Sequence, residues 1–317
     1  YNNINFPKRK ILYTNLVENL RYGENPHQIS AFYSQNKKNK INQIHGKTLS
    51  YNNYNDIFSA LALSRSLPKN TGTVIVKHGN PCGVSALKDN LDSYKLALQS
   101  DPISAFGGIV SCNYKVTPKI ALILNKIFLE VIIANGFDKS ALKILKLKKN
   151  LRLIDSSKIF FNETWKFNSM DNFTLIQSED KKKFTKKNFK VVSKRKPTKS
   201  QFDNLVFAFN VCRYVKSNAI VLASNRSTIG IGSGQPSRLD SCEIAINKMN
   251  KFSKHEHEIV AASDAFFPFV DGIEKLVQSG ATAIIQPKGS IRDKEIIKFA
   301  NDTNTVLVFS KTRHFRH

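Results

Sequence analysis

DIFSALALSRSLPKNTGTVIVKHGNPCGV, residues 56–84, is the stretch on which the fold turns. Its first twelve residues (56–67) place apolar side chains at helical spacing. TVIVK (73–77) reads as a buried strand, and Gly-Asn-Pro-Cys-Gly then breaks it. A second stretch repeats this design: a helix in DNLVFAFNVCRYV (203–215), a strand in AIVLA (219–223), then the Gly-rich TIGIGSGQPSR (228–238). Downstream signals also recur in step. SDPISAFGGIV (100–110) answers to SDAFFPFVDGI (263–273), and each leads through a helix-like stretch to a buried strand, VIIA (131–134) or AIIQP (283–287). Alternating helices and strands predict an α/β protein whose sheets are covered by helices. The recurrence predicts two related halves, 1–180 and 201–317, joined by a basic linker at 181–200.

The strand end in the opening stretch sets a cation, Lys77, beside an imidazole, His78. Successive strand residues point to opposite faces, so both serve one site only if the strand stops there. Gly79, Asn80 and Pro81 are expected to stop it. A like charge beside an imidazole disfavours its protonated form and leaves a ring nitrogen able to accept a proton. Other segments carry similar chemistry. LRYGENPHQ (20–28) gathers polar groups around turn residues, with Arg21 and Tyr22 suited to an anion. LSYNN (49–53) reads as a turn whose Asn can recognise an amide. The alternating glycines of IGIGSGQPSR (229–238) are expected to let backbone approach a ligand, with Arg238 supplying charge. Neither GxGxxG nor GxxxxGK[ST] is present, which excludes the common nucleotide-phosphate loops. AFFPFVD (265–271) offers ring faces to a flat heterocycle, and the tail TRHFRH (312–317) is expected to be exposed.

The 317 residues carry a net charge of +25, yet Arg supplies only 11 of the 49 basic residues. The many Lys are scattered among Asn and Ile, whereas base-reading proteins lean on Arg. KKKFTKKNFKVVSKRK (181–196) is the dense exception and reads as a solvated linker face; a basic surface also steers anionic small substrates. Cys82, Cys112, Cys212 and Cys242 form no CxxC pair, a reduced, cytosolic pattern without zinc-ligand spacing. Cys82 reads as a small residue in a tight turn. No apolar run approaches the ~18 residues of a membrane span, and no signal peptide is visible. The chain does not begin with Met, so it is expected to be a piece of something longer.

RYGENPHQ (21–28), KHGNPCG (77–83), SAFGG (104–108), KSNAI (216–220), GIGSGQPSR (230–238), SDAFFPF (263–269), IQPKGSIRD (285–293) and RHFRH (313–317) occur in one order. Together they resemble the transformylase half of the bifunctional 5-aminoimidazole-4-carboxamide ribonucleotide (AICAR) formyltransferase/IMP cyclohydrolase family, from Phe6 to His317. The resemblance implies duplicated cytidine-deaminase-like three-layer α/β/α halves, here without the deaminase zinc signature or zinc. It implies a cytoplasmic formyltransferase of purine biosynthesis, which passes the formyl group of 10-formyltetrahydrofolate to the 5-amino group of AICAR. The implied catalytic residues are His78 as base, Lys77 as proton donor or electrostatic stabiliser, and Asn218 in support. Arg21, Tyr22, Lys149 and Arg313 match positions holding the phosphate. Asn53, Arg238 and Phe266 match positions around the imidazole and carboxamide, and Phe106, Gly107, Pro268 and Asp271 match the folate side. The resemblance also implies a homodimer, obligatory for activity, in which Arg21 and Tyr22 are expected to cross to the partner's site.

The chain departs from the family pattern at Val270, where Arg is usual, at Pro236, at Lys288 and at Asn135. FPKRKILY (6–13) resembles the junction after the cyclohydrolase half, so formyl transfer is expected of this chain and ring closure is not. The rival reading is an inactive scaffold acting as a basic RNA-binding protein, motivated by the charge and by 181–196. A polynucleotide or membrane partner is not expected.

Overall fold

The computed structural model describes residues 6–35, 41–159, 165–182, 184, 186–253 and 258–317. In the first half, β1 (Asn15–Leu20) and β2 (Ser30–Ser34) form a hairpin. There follow β3 (Gln43–His45), α1 (Tyr51–Ser66), β4 (Gly72–Lys77), β5 (Asn80–Ala86), α2 (Asn90–Ser100) and the short α3 (Pro102–Ala105). Next come β6 (Ile109–Cys112), α4 (Pro118–Leu124), β7 (Val131–Ala134), α5 (Lys139–Leu145) and β8 (Arg152–Asp155). A second hairpin, β9 (Trp165–Met170) with β10 (Phe173–Ser178), precedes β11 (Phe189–Val191). The second half continues with α6 (Lys199–Cys212), β12 (Ile220–Ser224), β13 (Ser227–Gly232), α7 (Arg238–Phe252) and β14 (Ile259–Ser263). It ends with α8 (Asp271–Gln278), β15 (Ala281–Pro287), α9 (Asp293–Asp302) and β16 (Val306–Ser310).

Twelve of the described strands form one mixed sheet, ordered β11-β16-β15-β14-β12-β13-β5-β4-β6-β7-β8-β3. Outward from the β13–β5 seam, both halves run antiparallel, antiparallel, parallel, parallel, antiparallel. Strand alternation feeds two layers of helices. Val74 and Val76 enter a core under α1 and α6 that spans both halves, while Ile75 enters a separate core under α2, α4 and α5. Val221 and Val308 join the shared core, and Ile220 and Leu307 face α7, α8 and α9. Each large aliphatic side chain so buried contributes about 1.5–3 kcal/mol.

Several element boundaries differ from the sequence expectation. LSYNN is not a turn: Ser50 caps α1, and Asn53 closes a capping box with it, so the helix starts before Asp56. Thr198 and Gln201 form the same device at the start of α6, four residues ahead of Asp203. Part of the expected linker is sheet, since β11 pairs antiparallel with β16; Lys183 and Thr185 of the basic run lie outside the described residues.

The glycines of β13 also do something other than approach a ligand. A Cβ at Gly230 would stand 2.1 Å from the Ala245 carbonyl oxygen, and one at Gly232 would stand 1.9 Å from that of Ser241. The close approach is to the backbone of α7, and Gly83 makes the matching approach to Ala97 on α2. Gly232→Ala is therefore expected to lower stability by about 3 kcal/mol through overpacking. An unchanged urea midpoint would contradict this reading of the strand–helix contact.

Candidate active site

β4 and β5 are joined by two residues, His78 and Gly79, with φ of 52° and 73°. Positive φ at both positions is the mark of a type I′ hairpin turn, which matches strand twist. The reversal is thus tighter than the sequence implied: Asn80 and Pro81 do not end the structure but begin β5. Pro81 is tolerated because the register shifts there. Ile75 faces Gly83 and Val76 faces Pro81, leaving Cys82 as the extra residue of a bulge. Cys82 is buried in this strand and not in a turn, and burial pushes its thiol up to about 12, which suits packing and not nucleophilic attack.

The turn is held from below. Asp56 on α1 accepts the backbone N–H groups of His78 (3.1 Å) and Gly79 (2.6 Å). Burial raises the Asp56 pKa, outweighing those two hydrogen bonds and the nearby His78. His78 is left exposed at the tip. Lys77 ends β4 and donates from Nζ to the Phe106 carbonyl oxygen at 2.8 Å. It also lies 3.9 Å from where a Cβ on Gly107 would be. Phe106 is exposed and packs on Phe128 with ring centres 5.4 Å apart. Lys77, His78, Phe106 and Gly107 therefore share one corner.

A second group forms on the other half. The Asn218 amide donates to the carbonyl oxygens of Gln235 and Pro236, both at 2.9 Å, and its Oδ1 accepts from Arg238 Nη2 at 2.6 Å. Arg238 also donates through Nη1 to Ser263 Oγ (2.8 Å) and Asp264 Oδ1 (2.5 Å). Asp264 is fully buried and takes a further hydrogen bond from Ser217 Oγ at 2.6 Å. Arg238 is thus the partly buried ion-pair partner of buried Asp264, and it also bonds Asn218. Beside it opens a pocket of roughly 320 Å3 lined by Ser217, Asn218, Gly234, Gln235, Pro236, Phe315 and His317. The recurring Ser-Asp signal has a common physical basis here. Asp101 and Asp264 are both buried, and both pair with cations on α7, Lys248 and Arg238.

The remaining candidates are dispersed. Arg21 is exposed after β1, its guanidinium 5.6 Å from the Tyr22 ring centre. Asn53 is buried, its amide given to Glu130 Oε2 at 2.8 Å, and Glu130 lies 3.7 Å from Arg152. Lys149 is exposed on the loop before β8. Phe266 is partly buried, Pro268 exposed, and Asp271 begins α8, accepting the Gly272 N–H at 2.7 Å. Arg313 is exposed with its guanidinium 4.7 Å from the Phe315 ring centre. Val270 packs beside the core under α8.

The tail is docked, contrary to expectation. His314 is buried between Phe184 and Phe209, its ring Nδ1 against Asp180 and its backbone N–H donating to the Asp264 carbonyl oxygen at 2.9 Å. Burial pushes the Asp180 carboxyl up, but the His314 hydrogen bond and charge, with Arg213, hold it below its ordinary value. Asp101 is likewise lowered, Lys248 and Ser104 outweighing burial. A lowered folded-state pKa gives stability that is present above the unfolded value, ~3.9. That stability is lost as pH falls through the folded value. Unfolding by urea is therefore expected to become easier below about pH 4, and a midpoint flat from pH 6 to pH 3 would contradict it.

Sequence reasoning passed over Asp56, Asp264 and Ser217 as site residues. The repeated Ser-Asp signal marked Asp264 without giving it a role; nothing local marked Asp56. Among the described residues, no group of three or more His, Cys, Asp or Glu is placed to hold a metal ion. None of the described helices is long and apolar enough to cross a membrane.

A family model described as AICARFT/IMPCHase bienzyme matches residues 2–248. The chain is similar to three curated proteins named bifunctional purine biosynthesis protein PurH. It is 42% identical to that of Acetivibrio thermocellus, over 98% of this chain and 62% of the relative. For Caldicellulosiruptor saccharolyticus the figures are 43%, 98% and 61%, and for Buchnera aphidicola subsp. Schizaphis graminum 47%, 95% and 59%. The chain thus spans about three fifths of the length of these relatives.

Proposed function

The chain belongs to the AICARFT/IMPCHase bienzyme family, and from that premise we propose that it is an AICAR formyltransferase using 10-formyltetrahydrofolate. The observation that carries this reading is the corner at the β4–β5 turn, where an exposed imidazole and a cation leave one tight reversal beside Phe106 and Gly107. The acceptor amine is a poor nucleophile because its lone pair is delocalised toward the carboxamide. Its nitrogen attacks the formyl carbon while His78 takes the amine proton. The bond from that carbon to folate N10 then breaks, and Lys77 supplies the proton that N10 requires. Before departure of tetrahydrofolate, the Lys77 ammonium also stabilises negative charge on the formyl oxygen.

Asn218 keeps the Gln235–Pro236 turn in place at the opposite wall, and Arg238 acts through it. Arg21, Tyr22, Lys149 and Arg313 are the proposed phosphate ligands, with Phe266 and Asn53 toward the base. Phe106, Gly107, Pro268 and Asp271 are proposed for the folate. The matching strand order of the two halves supports a duplicated cytidine-deaminase-like ancestry. Exposed Leu16 and Tyr33 on the first hairpin, and Phe173 and Leu175 on the second, support a homodimer. The net charge of +25 is spread over Lys side chains and favours anionic metabolites by steering. Nothing favours the RNA-binding alternative.

The test is spectrophotometric: tetrahydrofolate should form from 10-formyltetrahydrofolate only when AICAR is present. No AICAR-dependent signal, with salt-sensitive polynucleotide binding, would overturn the reading. Arg21→Ala is expected to raise KM for AICAR about tenfold by losing a charge-assisted contact. Assayed at AICAR well below KM, an equal random mixture with His78→Ala chains should reach about a quarter of wild-type turnover if sites are shared in a twofold dimer, against about a twentieth if they are not. Confirmed heterodimers without recovery would exclude crossed sites.

A further inference from the structure

The two walls of the site lie on different halves, and the sheet does little to hold them together where they face each other. Ser85 with Ser227 is the one ladder pair between β5 and β13 among the described residues. It lies at the end of β5 away from the His78 turn, five residues or ~17 Å of strand from Asn80. The added backbone bond across the seam, Ala86 to Arg226, is at that same far end. At the near end, the halves are joined by side chains. The Lys216 N–H donates to Asn80 Oδ1 at 3.0 Å. Among the described residues, a second tie at this end is Arg316, from the docked tail.

Arg316 is partly buried and reaches both walls. Its backbone exchanges two hydrogen bonds with Ser217, which precedes Asn218. Ser217 N–H donates to the Arg316 carbonyl oxygen at 2.9 Å, and Arg316 N–H donates to Ser217 Oγ at 3.0 Å. Its guanidinium donates to the Tyr214 carbonyl oxygen at 2.9 Å and, across the seam, to Ser59 Oγ on α1 at 3.2 Å. Ser59 stands one helical turn from Asp56, on the same face of α1, and Asp56 grips the turn amides of His78 and Gly79. A continuous chain of contacts therefore runs from Asn218 through Ser217 and Arg316 to α1 and on to His78.

We propose that Arg316 is a positioning residue, a strap that sets the spacing between the His78 turn and the Asn218 loop and does not itself bind substrate. The proposal rests on the formyltransferase reading for its catalytic consequence. Its structural consequence stands independently of that reading. Reaction geometry is sensitive to displacements of about 1 Å, so loosening the strap should reduce the chemical step and leave ground-state binding nearly intact.

The test uses Arg316→Met, which keeps the stem and removes the fork, together with Arg316→Lys and Ser59→Ala in the full chain. For Arg316→Met, kcat should fall about 30-fold while KM for AICAR stays within about threefold. Arg316→Lys, still able to reach one partner, should lose less. Adding Ser59→Ala to Arg316→Met should cost little more, since both cut one link. Hydrogen exchange should quicken together in peptides covering 74–84 and 214–220. A raised KM with unchanged kcat would make Arg316 a ligand contact and overturn the proposal. Exchange changes confined to 311–317, or full additivity with Ser59→Ala, would also overturn it. If the unaltered chain shows no AICAR-dependent turnover, the functional reading fails, and the paired exchange response alone decides the strap.

Discussion

His78→Ala is expected to lower kcat by about three orders of magnitude while KM for AICAR changes less than about tenfold. The size follows from the chemistry of the acceptor. A poor nucleophile gains most from a base in the transition state, and the contacts proposed for the nucleotide lie on other residues. The substitution also tests the backbone, because residue 78 has φ 52°. The native His already bears most of the left-handed cost, and Ala, without a side chain to bond the local backbone, should add less than about 1 kcal/mol. His78→Asn separates the two effects, since Asn tolerates positive φ and accepts no proton at neutral pH. Both variants should lose turnover alike, while His78→Asn retains the melting temperature. Near-normal kcat in His78→Asn would remove the proposed base.

Asp264→Ala should be the most damaging single change to stability, at about 3–5 kcal/mol, the cost of leaving one partner of a buried ion pair uncompensated. Arg238 would keep a buried guanidinium with only Ser263 and Asn218 as partners, and the Ser217 hydroxyl would lose its acceptor. The damage should spread to the tail through Ser217 and Arg316. Asp264→Asn keeps an acceptor for Ser217 and should cost less. Urea unfolding of the two variants checks this, and equal, small losses would show that the carboxylate charge is dispensable.

The readable part of the fold was the part written in local periodicity. VIIA at 131–134 is the whole of β7, and TVIVK differs from β4 only by Gly72. Two helices, α1 and α6, were legible but their starts were not, because Asn53 and Gln201 are polar residues whose capping role depends on a turn of backbone already being in place. Polar side chains also misled where their partners are distant. Asn53 suits an amide-reading loop as well as a helix cap, and its contact with Glu130 lies 77 positions away. The glycines at 230 and 232 look the same whether a ligand or a helix approaches them. The docked tail was invisible for a similar reason, since the contact of Arg316 with Ser59 joins residues 257 positions apart.

By itself, the amino-acid sequence determined the α/β alternation, the recurrence of that alternation in two halves, the strand end that presents Lys77 and His78, and the family. These are properties of spacing, turn chemistry and ordered motifs, which are local or cumulative along the chain. Only the tertiary structure decided which polar groups face outward and which are spent inside. Asp56, Asn53 and Asp264 acquire their roles from neighbours brought close by the sheet, and a hydrogen bond reaches no farther than about 3 Å.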